Sequence, residues 1–381
     1  MAKTLLLVLT LVLMSVNVKA QLPAQLDPKQ VVSQFLRVFN SNNLETITHY
    51  VDNHLSEETA ARWQGAGTKR YIIYTMNSSL SHKSLQQVGD IAQEEQQQRV
   101  RITAPITSKA TGLDYELVIN VGAHAPHSLI SWYLTPSDRN KPDGKVSEAE
   151  MVKVLSELIK KLAKNGVFSG AVLLAKGEEI LLQQAHGLAS RRYDVKNNLE
   201  TKFQIGSMNK MFTGIAIMQL VEAGKLSLND KLTQYVDREY FGTGNFDAIT
   251  IAQLLTHTSG LGAVPSYQAK QTEIRTLKQR LGLYKEVQLN FPPGSRWGYS
   301  STGMDMLGHV IEAVTQQSYY DYIDDNIYHK AKMLSSGSFD IDLPVKNTAR
   351  GYWYSIDTKA ITENLVKQHV KGSPAGGGYS P

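Results

Sequence analysis

Apolar residues recur at helical spacing shortly after residue 27, which predicts a first helix there. Asp27 and Pro28 form a typical helix start, with an N-cap residue followed by proline at the first helical position. The apolar positions that follow lie three or four residues apart, at Val31, Val32, Phe35, Leu36 and Phe39. Residues 43–51 and 56–63 are candidates for further short helices.

The pattern becomes strand-like after Tyr71. Apolar and β-branched residues favour strands, at 100–103, 113–121 and 129–134. Helices followed by strands predict a small α+β domain over residues 21–136. A polar segment that contains Pro and Gly but no periodicity, residues 137–145, predicts a linker to a second domain over residues 146–381.

The second domain is predicted to begin with a helix and a hairpin. Ser147 and Glu150 form a capping box, and an apolar stripe follows at Met151, Leu155, Leu158 and Leu162. Two apolar runs, 170–175 and 180–185, are separated by four turn residues and predict a β-hairpin.

The apolar segment 211–221 directly follows Ser207 and Lys210, which form the chain's one Ser-x-x-Lys pattern. Because this segment is hydrophobic nearly all round, it predicts a helix buried in a core. Residues three apart lie about one turn apart on the same helix face, so the Lys210 amine can reach the Ser207 hydroxyl. The helix N-terminus would also favour the negative charge that develops during acyl transfer. The pair is therefore a candidate nucleophile beside its base.

Two explanations of the pattern stay open at this level. For Lys210 to accept the serine proton, its pKa must fall from about 10.4 to about 7, and a water-poor pocket would supply that change. A serine that caps a helix, with a lysine extending from the first turn, would give the same pattern.

Composition and the N-terminal segment indicate the compartment of the protein and argue against a nucleic-acid partner. The 381 residues are 42% hydrophobic and 20% charged, which is ordinary for a globular protein. A net charge of +5 without a long basic run does not indicate a nucleic-acid partner. Residues 1–20, with Lys3 before an apolar stretch, predict a cleavable signal peptide and hence a secreted or periplasmic protein without a stable membrane span. An uncleaved anchor is the less favoured alternative, because the apolar stretch is short for a permanent membrane span.

The chain contains no cysteine, so it has no disulfide, thiolate metal site or lipid-bearing Cys. His124 and His127 have no third ligand nearby in the sequence, which favours a polar turn over a metal site. No metal or organic cofactor is predicted.

Four phrases occur in order in the second half of the chain: FQIGSMNK at 203–210, LVEAGKLSLND at 220–230, LLTHTSGL at 254–261 and PGSRWGYSS at 293–301. With them, the chain from about residue 146 to residue 381 resembles the serine beta-lactamase-like and penicillin-binding family, most closely the class C branch with its esterase and D-aminopeptidase relatives. The resemblance implies an α/β domain, with an antiparallel sheet and a helical subdomain, that reacts through a serine acyl-enzyme.

The resemblance also implies roles for two residues of the second motif, Tyr-x-Asn in the family. Tyr299 would help take the proton from Ser207 and return it to the leaving group. Ser301 stands in place of the asparagine, so it keeps a hydroxyl for the substrate but lacks the amide that would bind a carbonyl. This difference argues against strong beta-lactam turnover more than against acyl chemistry.

His257 precedes a serine, which suggests a hydrolase triad. We favour a structural turn instead, in which His257 interacts with carbonyl groups near a helix C-terminus. The sequence has no Gly-x-Ser-x-Gly nucleophile elbow, so an alpha/beta-hydrolase is not supported.

The family's third motif, Lys-Thr-Gly or His-x-Gly, is missing. The segment 374–380 resembles a loop that precedes the last strands in relatives, so the C-terminal strands are expected to be missing and the chain to be a fragment or a truncated form. The domain over 21–136 resembles nuclear-transport-factor-2-like domains in the order of its elements alone.

The leading prediction is an exported serine hydrolase. Ser207, Lys210 and Tyr299 would be catalytic and Ser301 would contact a small-molecule or peptide substrate, which would be a D-amino-acid peptide, a small ester or amide, or a beta-lactam. The alternative is a non-catalytic peptide- or cell-wall-binding module that keeps the penicillin-binding shape.

Overall fold

The computed structural model describes residues 26–41, 43–56, 73, 76, 84–125, 127–140, 144–265, 270, 272–355, 360–365 and 369–381. The predicted signal peptide over 1–20 and most of the predicted helix at 56–63 lie outside the described residues. Within the described part, no helix is long and apolar enough to cross a membrane. The chain divides into two compact units, with the change near residue 150.

Two helices open the first unit, α1 (Pro28–Asn40) and α2 (Leu44–His54). The Asp27 side chain accepts a hydrogen bond from the Lys29 N–H at 2.9 Å, so the predicted helix start is confirmed. The apolar side of α1 is buried, including Val32, Phe35 and Phe39. The second predicted helix, at 43–51, is confirmed with a slightly later end.

An antiparallel sheet follows the two helices. Its strands are β1 (Leu85–Gln87), β2 (Ala92–Gln96), β3 (Arg99–Ser108), β4 (Asp114–Gly122) and β5 (Leu129–Pro136), and β3 pairs with β1, β2 and β4. Alternate residues of β3, among them Ile102 and Ile106, are buried against the helices. The predicted strands are therefore confirmed, while the small α+β domain over 21–136 and its likeness to nuclear-transport-factor-2-like domains stay predictions.

The first residues of the predicted linker are bound to β4. Asp138–Asn140 form one turn of 3-10 helix. The Asn140 side chain accepts from the Asp114 N–H at 2.9 Å and donates to the Asp114 carbonyl at 2.6 Å. The linker over 137–145, and the domain bounds on either side of it, stay predictions.

The second unit contains six α-helices and eight strands among the described residues. The helices are α3 (Glu148–Lys164), which begins just before the division, α4 (Asn209–Glu222), α5 (Ile251–Leu255), α6 (Leu277–Leu281), α7 (Ser301–Thr315) and α8 (Tyr319–Ile323). The strands are β6 (Gly170–Lys176), β7 (Glu179–His186), β8 (Leu188–Ser190), β9 (Val195–Lys196), β10 (Phe203–Gly206), β11 (Tyr352–Ser355), β12 (Ala360–Glu363) and β13 (Gly378–Ser380). The predicted hairpin is confirmed as β6 and β7.

Helix α4 packs on α7 and α8, but it is not buried all round. Its inner side, with Ala216, Ile217 and Leu220, belongs to the main core of the second unit. Its other side exposes roughly half of the Met211 and Met218 side chains. The prediction of a fully buried helix is wrong, because an apolar helix without a polar stripe does not reveal which of its sides is covered.

The last described strand lies beside the segment that leads to Ser207. Strand β13 pairs antiparallel with β10, and the register places Tyr379 opposite Gln204. The prediction of a loop over 374–380 is therefore wrong for its last residues, which form a strand. Each described sheet of the second unit has two strands.

Candidate active site

Ser207 lies in the turn between β10 and α4. Gly206, the last residue of β10, has a left-handed backbone (φ +55°), which glycine adopts at little cost because it has no Cβ. The Lys210 N–H donates to the Ser207 carbonyl at 3.1 Å, so the serine is joined to the first turn of the helix. The Ser207 side chain is exposed to solvent.

The Lys210 amine lies among three oxygen acceptors. Its Nζ is 3.2 Å from Ser207 Oγ and 3.5 Å from Ser301 Oγ, and it also bonds to the Ala375 carbonyl oxygen. Lys210 is half-buried. The predicted reach between Lys210 and Ser207 is confirmed, but the expected water-poor surroundings are not found, since Ser207 and Tyr299 are both exposed.

Tyr299 approaches the serine from the segment before α7. Its hydroxyl oxygen lies 2.9 Å from Ser207 Oγ, and Lys210 Nζ lies 4.9 Å from the centre of its ring. Partial burial alone would raise the pKa of the Tyr299 phenol, but hydrogen bonds with Lys210 and Ser207 and the Lys210 charge outweigh it, so its pKa lies below the usual value. This environment favours the phenolate, which can accept a proton.

A run of three carbonyl groups near the C-terminal end of the sequence holds the start of α4. Three side chains of α4 each bond to one of them: Asn209 to Ser373 at 2.6 Å, Thr213 to Pro374 at 2.8 Å, and Lys210 to Ala375. The sequence carries no signal for this arrangement, because the acceptors are main-chain atoms that any residue provides.

A cavity of about 620 Å³ opens beside Ser207, Tyr299 and Ser301. One part of its lining is apolar, with Leu261, Ala263, Val264 and Leu283. Another part is polar and includes Arg280 and Asp305, a buried ion pair with 3.1 Å between Arg280 Nη1 and Asp305 Oδ2. The cavity can therefore contact both apolar and polar groups of a substrate.

His257 lies behind Tyr299, in a role that the sequence did not predict. Its Nδ1 accepts a hydrogen bond from the Ser300 N–H at 3.2 Å, and its ring lies 4.7 Å from the Tyr299 ring, centre to centre. The prediction that His257 contacts carbonyl groups is wrong for the ring, although its N–H does donate to the Leu254 carbonyl. Within the described ranges, no hydrogen bond joins the ring to Ser207.

The two histidines considered as metal ligands lie between β4 and β5. The His127 N–H donates to the His124 carbonyl at 2.8 Å, and His127 Nδ1 lies 2.9 Å from the Gly122 carbonyl oxygen, so the predicted polar turn is confirmed. The part of the chain that the structure describes contains no group of three or more acidic, His or Cys residues placed to hold a metal.

The structure thus brings Lys210 and Tyr299 to the Ser207 hydroxyl and Ser301 to the Lys210 amine, in a fold with a helical core and short antiparallel sheets. A profile of the Beta-lactamase family matches residues 155–381, and the protein belongs to that family. The predicted resemblance and fold class are confirmed at this level.

Two curated relatives are similar to this chain over about half of its length. Protein flp of Staphylococcus aureus (strain MW2) is 30% identical over 207 residues, 53% of this chain and 41% of that protein. The putative penicillin-binding protein PbpX of Bacillus subtilis (strain 168) is 30% identical over 209 residues, 52% of this chain and 49% of that protein. The chain therefore spans less than half of the length of these curated relatives.

A solved structure agrees with the assignment to the Beta-lactamase family. The penicillin binding protein from Bacillus halodurans is 33% identical, with a TM-score of 0.53 over 58% of this chain and 69% of that chain.

Proposed function

We propose that this protein is an exported serine hydrolase that reacts through an acyl-enzyme on Ser207. One observation carries the proposal: Ser207 Oγ lies 3.2 Å from Lys210 Nζ and 2.9 Å from the Tyr299 hydroxyl, at the edge of an open cavity. A nucleophile beside two groups that can move its proton is the arrangement that covalent acyl transfer requires.

The lowered pKa of Tyr299 suggests the route of the proton. The Tyr299 phenolate accepts the proton of Ser207 while Oγ attacks the substrate carbonyl carbon, and Lys210 stabilises the negative charge on the phenolate. Tyr299 then protonates the leaving amine or alcohol, which departs as the ester to Ser207 forms. Water attacks that ester, returns a proton to Ser207 through the same groups and releases the acid. The Ser207 N–H would form part of the oxyanion site.

The cavity and the family support a proposal for the substrate class. A cavity of about 620 Å³ is large enough for a small molecule or a short peptide end. We propose a D-amino-acid peptide, a small ester or amide, or a beta-lactam. Ser301 would contact the substrate through its hydroxyl, which lies 3.5 Å from Lys210 Nζ.

The test is intact-mass analysis after exposure to a fluorophosphonate or a penicillin. The wild-type chain should gain the mass of one adduct, and Ser207→Ala should gain none. Ser227→Ala, which replaces an exposed serine in the loop after α4, is the matched control and should still be labelled. An adduct that persists in Ser207→Ala would rule out the assignment.

A second candidate is a non-catalytic peptide- or cell-wall-binding module. Two observations favour it: Ser301 replaces the family's asparagine, and both Ser207 and Tyr299 are open to solvent. Equilibrium binding of a D-alanyl peptide by the wild-type chain, without an adduct or hydrolysis, would support this candidate against the hydrolase.

A further inference from the structure

His257 is held tightly against the segment that carries Tyr299. Its carbonyl accepts from the Gly298 N–H at 2.8 Å and its Nδ1 accepts from the Ser300 N–H at 3.2 Å. Its ring also packs on the Tyr299 ring between these two bonds. Three consecutive residues of the segment are therefore in contact with one histidine.

The hydrogen bond from the Ser300 N–H to His257 Nδ1 requires a neutral imidazole. A ring nitrogen that accepts an N–H has no proton of its own, so the neutral form carries its proton on Nε2. Protonation of Nδ1 would remove the acceptor and leave the Ser300 N–H without this partner. Ser300 is buried, so water would replace the lost bond poorly.

We propose that His257 is a positioning residue for the reaction proposed above: its neutral imidazole orients Tyr299 toward Ser207, and protonation of the imidazole in acid slows acylation. This inference rests on the proposed function. It assigns no proton transfer with the substrate to His257, because Tyr299 lies between the imidazole and the serine.

The charges around the ring agree with this role. Burial, and then the positive charge of Lys210 on α4, lower the pKa of His257, so the ring stays neutral at neutral pH. Among the described residues, Tyr299 is a second titratable group in contact with the ring, whereas Trp297 makes an uncharged edge contact with 6.4 Å between ring centres. An imidazolium would lie close to the Lys210 ammonium, which it would repel.

Two substitutions distinguish the loss of the hydrogen-bond acceptor for the Ser300 N–H from the loss of a ring that takes up a proton. His257 has a left-handed backbone (φ 58°), which asparagine tolerates better than most residues. His257→Asn can keep an oxygen acceptor for the Ser300 N–H but has no titrating ring. His257→Leu removes both the acceptor and the titration.

The measurement is the rate of fluorophosphonate labelling of Ser207, followed by intact mass from about pH 8 to about pH 4. Labelling joins Oγ to phosphorus as fluoride leaves, and the serine proton passes to Tyr299. The wild-type rate should show a step in acid that His257→Asn lacks, in addition to the fall that both share as the Tyr299 phenolate is protonated. At about pH 8, His257→Asn should label within a few-fold of wild type, and His257→Leu should be roughly tenfold to a hundredfold slower.

The matched control is His127→Leu in the first unit. His127 also has a left-handed backbone (φ 50°) and a ring nitrogen within hydrogen-bond distance of a backbone group, so it reproduces the substitution away from the site. This variant should label at the wild-type rate with the wild-type acid step.

Some results would overturn the positioning role of His257 and leave the proposed function intact. An acid step in His257→Asn equal to that of wild type, or wild-type labelling by His257→Leu, would do so while Ser207 remains the labelled residue. If His257→Leu does not fold, the pH profiles of wild type and His257→Asn still test whether protonation of His257 slows labelling. The lack of any Ser207 adduct in the wild-type chain would instead overturn the proposed function, and this inference with it.

Discussion

Two pairs of residues meet at the candidate site by different routes. Ser207 and Lys210 are three residues apart and are placed by one turn and the start of α4. Tyr299 and Ser301 come from about ninety residues later in the chain, and they reach Ser207 and Lys210 because α7 packs on α4. We call these the local pair and the distant pair.

The comparison separates what short-range geometry determines from what packing determines. The local pair needs only a helix, since residues three apart on a helix are neighbours. The distant pair depends on the buried contacts of α7 and on the His257 ring. Changes to the local pair should therefore affect the chemistry, and changes beneath the distant pair should first affect stability.

The largest expected effect comes from the local pair. Lys210→Ala removes the positive charge that stabilises the Tyr299 phenolate and the amine nearest to Ser207. Hydrolysis of chromogenic esters and D-alanyl amides should fall by about a thousandfold, within the range for loss of a group that assists proton transfer.

Lys225→Ala is the matched control, because Lys225 is exposed just beyond the C-terminal end of the same helix. It should hydrolyse the panel at the wild-type rate. Undiminished hydrolysis by Lys210→Ala would show that the local pair does not carry the chemistry, whereas hydrolysis abolished by Lys210→Ala would exclude the binding-module alternative.

The next effect should come from beneath the distant pair. Asp305 lies on α7, one turn after Ser301, and its ion pair with Arg280 has side chains that are only 11% and 3% exposed. Asp305→Ala would leave the Arg280 charge buried without this partner. The free energy of unfolding in urea should fall by about 3 kcal/mol.

The ion pair of Arg238 and Asp247 offers an exposed comparison. Its atoms are 3.6 Å apart, and its side chains are 41% and 64% exposed. Asp247→Ala should change the free energy of unfolding by less than about 1 kcal/mol. Equal losses for Asp305→Ala and Asp247→Ala would contradict the idea that buried packing places the distant pair.

The same division explains how much could be predicted from the sequence. Spacing alone predicted the contact of Ser207 with Lys210 and the hairpin of β6 and β7, because both are short-range features. Tyr299 was found through family resemblance, since nothing in its spacing indicates a neighbour 92 residues away.

Other features could not be predicted for physical reasons. His257 was assigned to carbonyl contacts because its actual partner, the Ser300 N–H, lies 43 residues along the chain and is a main-chain group. The exposed side of α4 was missed because Met211 and Met218 are as apolar as the buried residues of that helix. Hydrophobicity alone does not show which surface another element covers.

The smallest expected effect is a loss of folding stability at low pH, caused by a buried histidine in the packing under the distant pair. His309 on α7 is buried, with its Nε2 3.3 Å from the Tyr284 hydroxyl, and burial and then the Arg280 charge lower its pKa to about 3. The unfolded chain, where the pKa is about 6.5, therefore binds a proton that the folded chain does not. Stability should fall as the pH falls through this window.

The size of this effect follows from the two pKa values. At about pH 5 the unfolded state gains about 2 kcal/mol relative to about pH 8 through this one proton. His309→Gln should remove that part of the slope when the free energy of unfolding is measured against pH, because glutamine does not titrate. His329→Gln, at an exposed histidine of the same unit, should keep it. If the unfolding free energy of His309→Gln depends on pH as strongly as that of wild type, another group takes up the proton. Protonation of His309 on α7 would then not be what weakens the packing under the distant pair.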